Sequence, residues 1–259
     1  MTGVFELGKR AKEASRFLAV ASTKEKNKAL LSIACALEEN CEKIIEQNSV
    51  DMKNAENSGI NPTMLDRLLL TKERIKGMAD GVREVAELPD PVGRILDEVT
   101  RPNGLEITKV SVPIGVIAVI FEARPNVTSD AASLCLKAGN CVILRGGKEA
   151  IHSNAAIADI MRTALEKAGF PADCINFVED TSRQSATELM TMNEYVDVLI
   201  PRGGAGLIQA CVKNATVPVI ETGTGNCHIY VDKSANLEMA VEIVFNAKTS
   251  RPSDRKSVV

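Results

Sequence analysis

Four short stretches carry residue types suited to chemistry on a phosphate or an activated carbonyl. Glu122-Ala123-Arg124-Pro125-Asn126 sets a guanidinium and a carboxamide just before a helix start, where donors converge on an anion. The same five residues also read as a turn with an N-cap. Arg145-Gly146-Gly147-Lys148 flanks two glycines with two cations, a pattern for close backbone approach to a ligand or for a solvated basic turn. Pro201-Arg202-Gly203-Gly204-Ala205-Gly206 is a glycine-rich strand-to-helix turn whose amides can face a pyrophosphate, although it is not a G-x-G-x-x-G. Glu221-Thr222-Gly223-Thr224-Gly225-Asn226-Cys227 joins a carboxylate to a thiol. Glu221 reads as a general base or a turn cap, and Cys227 as a nucleophile or a core filler.

The elements that position these stretches follow from periodicity. Residues 1–90 read as successive helices, with Ala29, Leu30, Ile33, Leu37, Ile44 and Ile45 at helical spacing. Ser22 with Glu25 fits a capping box, Asn61-Pro62 a helix start, and Gly59 a helix stop. Residues 91–112 form a hairpin arm turning at Asn103-Gly104, with Arg94–Arg101 and Leu105–Val112 as its limbs, suited to pairing with another subunit.

Over residues 113–235 short apolar runs alternate with amphipathic ones. Strands are expected at Gly115–Phe121, Cys141–Leu144, Cys174–Val178, Val196–Ile200, Val217–Ile220 and His228–Val231. Helices are expected at Thr128–Ala138, Ser153–Ala168, Ser182–Met190 and Ala205–Lys213, and a last one at Leu237–Ala247 within residues 236–259. Repeated β-α units imply a mostly parallel, Rossmann-like sheet that takes ligands at the carboxyl ends of its strands. Arg145 and Lys148 then fall beside an adenosine ribose, where a lysine favours a 2′-phosphate and the adjacent Glu149 works against it.

Composition narrows the partner. The chain has 259 residues, net charge −3 and 45% apolar residues, enough for a core without staples. The apolar run from Val110 to Phe121 is interrupted by Pro113 and Gly115, and the first ten residues hold no signal-peptide core, so a cytoplasmic protein with no membrane span is expected. Seven scattered cysteines without a Cys-x-x-Cys, and only His152 and His228, argue for free thiols and no metal site. With no Trp, two Tyr and no dense basic block, nucleic acid is not an expected partner and a small molecule is.

Read together, Val112 to Asn126, Lys137 to Lys148, Ile200 to Leu207 and Val219 to Asp232 closely resemble the γ-glutamyl phosphate reductase family, the glutamate-5-semialdehyde dehydrogenases within the aldehyde dehydrogenase superfamily. The resemblance implies an aldehyde-dehydrogenase-like α/β fold and NADPH-dependent reduction of L-glutamate 5-phosphate to the 5-semialdehyde and phosphate, a step of L-proline biosynthesis. A cysteine thiolate would expel phosphate and leave a thioester for hydride. By position it implies Asn126 as the oxyanion donor, Glu221 as the glutamate beside the nucleophile, and Arg124 as a holder of the substrate's phosphate or carboxylate. NADP(H) would lie on Arg145, Gly146, Gly147 and Lys148 and on Arg202, Gly203 and Gly204.

The family's nucleophile motif reads Arg-Pro-Ser-x-Cys. Here Arg251-Pro252-Ser253 is followed by Asp254 and Arg255, so Arg255 stands at the nucleophile position and residues 254–259 do not match. The sequence therefore reads as truncated, with the catalytic domain largely missing, and as a dinucleotide-binding or subunit-interaction fragment in the alternative. A guanidinium cannot form a thioester. The 259-residue chain is expected to oxidise NADPH in the presence of glutamate 5-phosphate no faster than an enzyme-free control, and to carry no trappable glutamyl adduct on any thiol. Turnover above that control overturns the expectation.

Overall fold

The computed structural model describes residues 3–221, 227–249 and 257–258. Five helices come first: α1 (Gly3–Leu18), α2 (Thr23–Glu39), α3 (Cys41–Asn57), α4 (Pro62–Leu68) and α5 (Lys72–Glu87). Their ends are set as the sequence implies. The Ser22 hydroxyl accepts the Glu25 amide while the Glu25 carboxylate accepts the Ser22 amide at 2.8 Å, a complete capping box. The Asn61 side chain caps α4 ahead of Pro62, and Gly59, at φ +70°, lets the chain leave α3.

The arm is an antiparallel pair, β1 (Ile95–Thr100) and β2 (Glu106–Val110), turned through Gly104 at φ +84°. Every residue of both strands is exposed. The main sheet consists of β3 (Val116–Phe121), β4 (Cys141–Arg145), β5 (Ile175–Phe177) and β6 (Val198–Arg202), all parallel, in the order β5-β4-β3-β6. Its connections are α6 (Asn126–Lys137), α7 (Ile151–Lys167) and α8 (Arg183–Met190), with α9 (Ala205–Asn214) leaving β6. Right-handed crossovers put α6 and α7 on one face and α8 on the other. β7 (Cys227–His228), α10 (Leu237–Thr249) and β8 (Ser257–Val258) follow, β7 and β8 pairing with each other.

Some boundaries differ from the sequence-based expectation. The strand expected at Val217–Ile220 makes only a single bridge, Leu199 to Val219, beside β6. Pro218 has no amide to donate, so the ladder stops on this outer edge. The strand expected at His228–Val231 shrinks to its first residue plus Cys227, and Tyr230 is 86% exposed. α6 begins at Asn126 rather than Thr128, and a 3₁₀ turn, Lys148–Ala150, precedes α7.

One hydrophobic core joins the helical layer to the sheet: Leu30, Ile33, Leu37 and Ile75 share it with β3, β4 and Leu165. β3 is buried along its whole length. Its start is fixed by Asp197, which accepts the Val116 amide at 2.8 Å and both bonds of the Lys12 ammonium at 2.8 Å. Gly115, at φ +127°, is needed there, since a Cβ would lie 2.2 Å from the Asp197 carboxylate. Asp51 on α3 accepts the amides of His152 and Ser153 and the Ser153 hydroxyl, capping α7 from a neighbouring helix. Among the described residues no helix is long and apolar enough to cross a membrane.

Two lysines are buried where the helical layer meets the arm and α6. Lys137 donates to Asn27 Oδ1 at 2.6 Å and to the Ala86 carbonyl at 2.8 Å, and Lys26, 2% exposed, pairs with Asp90 at 2.7 Å. Burial raises the Asp90 carboxyl, but hydrogen bonds from Lys26, Thr23 and the Val92 amide outweigh it, so its pKa lies below the usual value. Asp90 therefore contributes stability above the ordinary carboxylate pKa of about 4, and that contribution is lost as pH falls through the lower folded value. Asp90→Ala, which leaves Lys26 buried without its partner, is expected to cost about 3–5 kcal/mol in urea unfolding at neutral pH. Asp90→Asn should flatten the acid limb of the stability curve; an unchanged limb would show that the pair is immaterial.

Candidate functional site

The carboxyl ends of β4, β3 and β6 lie side by side, and the three turns that leave them are in contact. Phe121 closes β3 in the core, and the next residue, Glu122, is exposed. Its amide donates to the Arg202 carbonyl at 3.3 Å, and its carboxylate accepts the Gly204 amide at 3.0 Å at the N-terminus of α9. The carboxylate lies directly over Gly203, where a Cβ would come within 2.6 Å of Glu122 Cδ. On the other side, a Cβ on Gly147 would meet Glu149 Oε2 at 2.6 Å and the Ala123 amide at 3.5 Å. At Gly146 it would meet Asn154 Nδ2 at 2.3 Å and Phe121 Cε2 at 3.3 Å. At each of these glycines a side chain of the protein itself lies where a Cβ would be.

Asn154 is fully buried; its Oδ1 accepts the Thr128 hydroxyl at 3.0 Å, and its Nδ2 has no hydrogen-bond partner among the described residues. Arg145, half-buried at the end of β4, turns toward the outer strand and donates to the carbonyls of Thr181 at 2.9 Å and Ser182 at 3.0 Å, ahead of α8. Burial pulls its guanidinium down from the usual arginine range, opposed by the charges of Asp180 and Glu149. Lys148 is exposed and makes no ion pair or hydrogen bond among the described residues. Arg202 and Arg124 are exposed on the β6 and β3 turns.

Asn126 is the first residue of α6 and half-buried; Pro125, not Asn126, is the cap residue. Its Nδ2 donates to Asp130 Oδ2 at 2.9 Å, one turn along the helix. A carboxamide has two N–H donors, so this bond orients the group and leaves the other donor for a ligand. Glu221 is exposed and follows the Leu199–Val219 bridge; it borders residues 222–226, which lie outside the described residues, as do the side chain of Cys227 and residues 251–255 including Arg255. The structure therefore brings Gly146, Gly147, Gly203 and Gly204 around the Glu122 turn, and sends the Arg145 head group away from it. The sequence reading assigned no role to Glu122, Asn154 or Asp197. For Glu122 a signal existed: a lone acid placed directly after an apolar strand, facing two glycine turns.

Four of the described thiols are held toward the protonated, poorly nucleophilic form. Burial pushes Cys135 up to about 12, the hydrogen bond with Cys174 and burial raise Cys141, and burial raises Cys211 and Cys41. Thiols so shifted stay protonated near neutral pH. No group of three metal-ligating side chains converges among the described residues. A cavity of about 710 Å³ lies against α1, beside Leu7, Arg10, Glu179 and Asp180, and contains none of the sequence-predicted site residues. The exposed Lys148 ammonium, and the open space at the first turn of α9 where nothing lies within 4 Å of a Cβ placed on Gly206, are chemically compatible with an anionic dinucleotide.

Comparison with known proteins agrees with this fold. The sequence model described as Aldehyde dehydrogenase family matches residues 4–251. A curated γ-glutamyl phosphate reductase of Carboxydothermus hydrogenoformans is 56% identical over 253 residues, 98% of this chain and 61% of that protein. The crystal structure of γ-glutamyl phosphate reductase from Thermotoga maritima superposes with a TM-score of 0.91 at 45% identity, covering 98% of this chain and 61% of that one. The Saccharomyces cerevisiae enzyme of the same name superposes at 0.79 with 32% identity, covering 96% and 64%. The chain thus spans about three fifths of the length of the curated relatives it matches.

The packing distinguishes structural from exposed positions at these turns. Gly146→Ala, which drives a methyl onto the Asn154 amide, is expected to cost about 1–3 kcal/mol in urea unfolding. Lys148→Ala should change stability by less than about 0.5 kcal/mol. Equal effects at the two positions would contradict the contacts described.

Proposed function

Because the chain belongs to the aldehyde dehydrogenase family, we propose that it forms the cofactor-binding part of a γ-glutamyl phosphate reductase, serving the NADPH-dependent reduction of L-glutamate 5-phosphate to L-glutamate 5-semialdehyde and phosphate. The observation that carries the reading is the meeting of the β4, β3 and β6 turns on one edge of a β5-β4-β3-β6 sheet. In such sheets ligands bind outside the carboxyl ends of the strands where the order reverses, here between β3 and β6.

The bound cofactor supplies a hydride. The chain's own residues bind and orient. Lys148 holds a ribose 2′-phosphate, a preference for NADPH over NADH that the exposed, unpaired ammonium supports. Arg145 acts mainly through the Thr181 and Ser182 carbonyls, shaping the wall beside Lys148. Gly203, Gly204 and Arg202 form the turn near the cofactor phosphates. Arg124 attracts the anionic substrate, and Asn126, oriented by Asp130, offers its second N–H to the oxyanion that develops on the reacting carbon. By the family's pattern Glu221 would be the glutamate that serves beside the nucleophile. The nucleophilic cysteine of the family has no counterpart at Arg255.

A second reading, a dinucleotide-binding fragment that associates with another subunit without turnover, is favoured by the arm. Ile95, Leu96, Val99, Leu105, Ile107 and Val110 are each 42–61% exposed, an apolar ribbon suited to pairing. Adding full-length reductase to the chain and following association by analytical ultracentrifugation separates the two readings. For the cofactor, Lys148→Ala is expected to weaken NADPH binding about tenfold, near 1.4 kcal/mol, and to leave NADH binding unchanged in a fluorescence titration. An equal loss for both nucleotides would remove the 2′-phosphate assignment.

A further inference from the structure

Glu122 is the residue through which the central turn touches the β6 turn, and it does so twice. Its amide donates to the Arg202 carbonyl at 3.3 Å, and its carboxylate accepts the Gly204 amide at 3.0 Å. Both bonds act on the backbone on either side of Gly203, which fixes where the chain enters α9 and which way its first amides point. The side chain also fills the space above Gly203: a Cβ there would lie 2.6 Å from Cδ, 2.9 Å from Cγ and 2.9 Å from Oε1 of Glu122. On the opposite side of the same turn, the Glu122 carbonyl carbon and the Ala123 amide lie 3.6 Å and 3.5 Å from the place of a Gly147 Cβ. One residue is therefore wedged between the two glycine turns, with backbone contact on one side and a carboxylate clamp on the other.

The chemistry suits a clamp. A carboxylate is favoured at a helix N-terminus, and its bond to an amide is charge-assisted. It is also an acceptor only, so it holds the turn in one direction. We infer that Glu122 is a positioning residue for the dinucleotide, holding the Arg202-Gly203-Gly204 turn and the Arg124–Asn126 loop in mutual register through the Gly204 amide. The inference rests on the cofactor reading above and deepens it: Glu122 itself touches backbone, and acts on the ligand through the turn. It follows that Gly203 is glycine because Glu122 occupies the place of its side chain.

That dependence gives a test a general loss of stability does not imitate. NADPH is titrated into the 259-residue chain by fluorescence, below the unfolding transition of every variant, and Gly204 amide exchange is followed by NMR. Glu122→Ala and Gly203→Ala should each weaken NADPH about tenfold. The double variant should be no weaker than Glu122→Ala alone, since the added methyl then has room. Glu122→Gln, which keeps an acceptor oxygen, should stay within about twofold of wild type. Gly204 exchange should quicken at least tenfold in Glu122→Ala and hold in Glu122→Gln. Unchanged or tighter NADPH binding in Glu122→Ala, or strictly multiplicative losses in the double variant, overturns the inference. If the wild-type chain binds no dinucleotide, the cofactor reading fails, and the exchange rates alone still decide the clamp: unchanged Gly204 exchange in Glu122→Ala overturns it.

Discussion

The arrangement depends on a single constraint, the burial of β3 on both faces and both edges. Val116 to Phe121 are each at most 5% exposed, and the strand is hydrogen-bonded to β4 on one side and β6 on the other. A strand so enclosed cannot slide, because a one-residue slip would exchange the side chains of its two faces. Its two ends are therefore fixed in space, and polar groups secure both. At the start, Asp197 ties Val116 to Lys12 of α1. At the finish, Glu122 ties the turn to Gly204. The first polar residue beyond a buried strand is held to an ångström-scale position by the core behind it, which is what a binding edge requires.

This changes how the glycines are understood. Glycine in a turn after a parallel strand is usually credited to a ligand's need for close approach. Here Gly146, Gly147 and Gly203 each have a protein atom within 2.3–2.6 Å of a notional Cβ: Asn154, Glu149 and Glu122 respectively. The ligand-facing consequence is indirect. By letting the three turns sit close together, the glycines bring the Lys148, Arg202 and Arg124 loops to one edge, and two of the filling groups are carboxylates. Glu122 is committed to a backbone amide, which aims its carboxylate at the β6 turn.

Much of this was legible in the chain. The capping box at Ser22, the start at Asn61-Pro62, the hairpin at Asn103-Gly104 and the four parallel strands follow from local patterns, and local patterns are what short-range physics enforces. The outer strand at Val217–Ile220 failed because Pro218 withdraws a donor at the sheet edge, a tertiary consequence that apolar periodicity does not register. In the site, the stretches were found and the partners were not. Arg145 reads as a ligand cation from its place beside two glycines, yet its head group is bound to carbonyls 36 and 37 residues further along. Glu122 meets Gly204 across 82 residues of chain. Contacts of that separation are set by strand order, which becomes known only when the sheet is assembled.

The distribution of exposed apolar surface follows the same logic of closure. The helical layer and the sheet share one core, and the polar groups between them are paired: Lys26 with Asp90, Lys137 with Asn27, Asp51 with the α7 N-terminus. Two elements stand outside that closure. The arm is exposed along both strands, and α10 has no buried residue, with Leu237, Val241 and Phe245 each 67–69% exposed. Surface scattered singly needs no explanation, but contiguous apolar faces on two regular elements do. A sequence that spends apolar residues at helical spacing on α10 and at strand spacing on the arm encodes faces meant to be covered. The arm is a two-stranded ribbon of the kind that is marginal alone in water, and both of its strands are exposed. The buried half of the fold thus positions the candidate site, while the apolar surface left open is concentrated on the arm and α10.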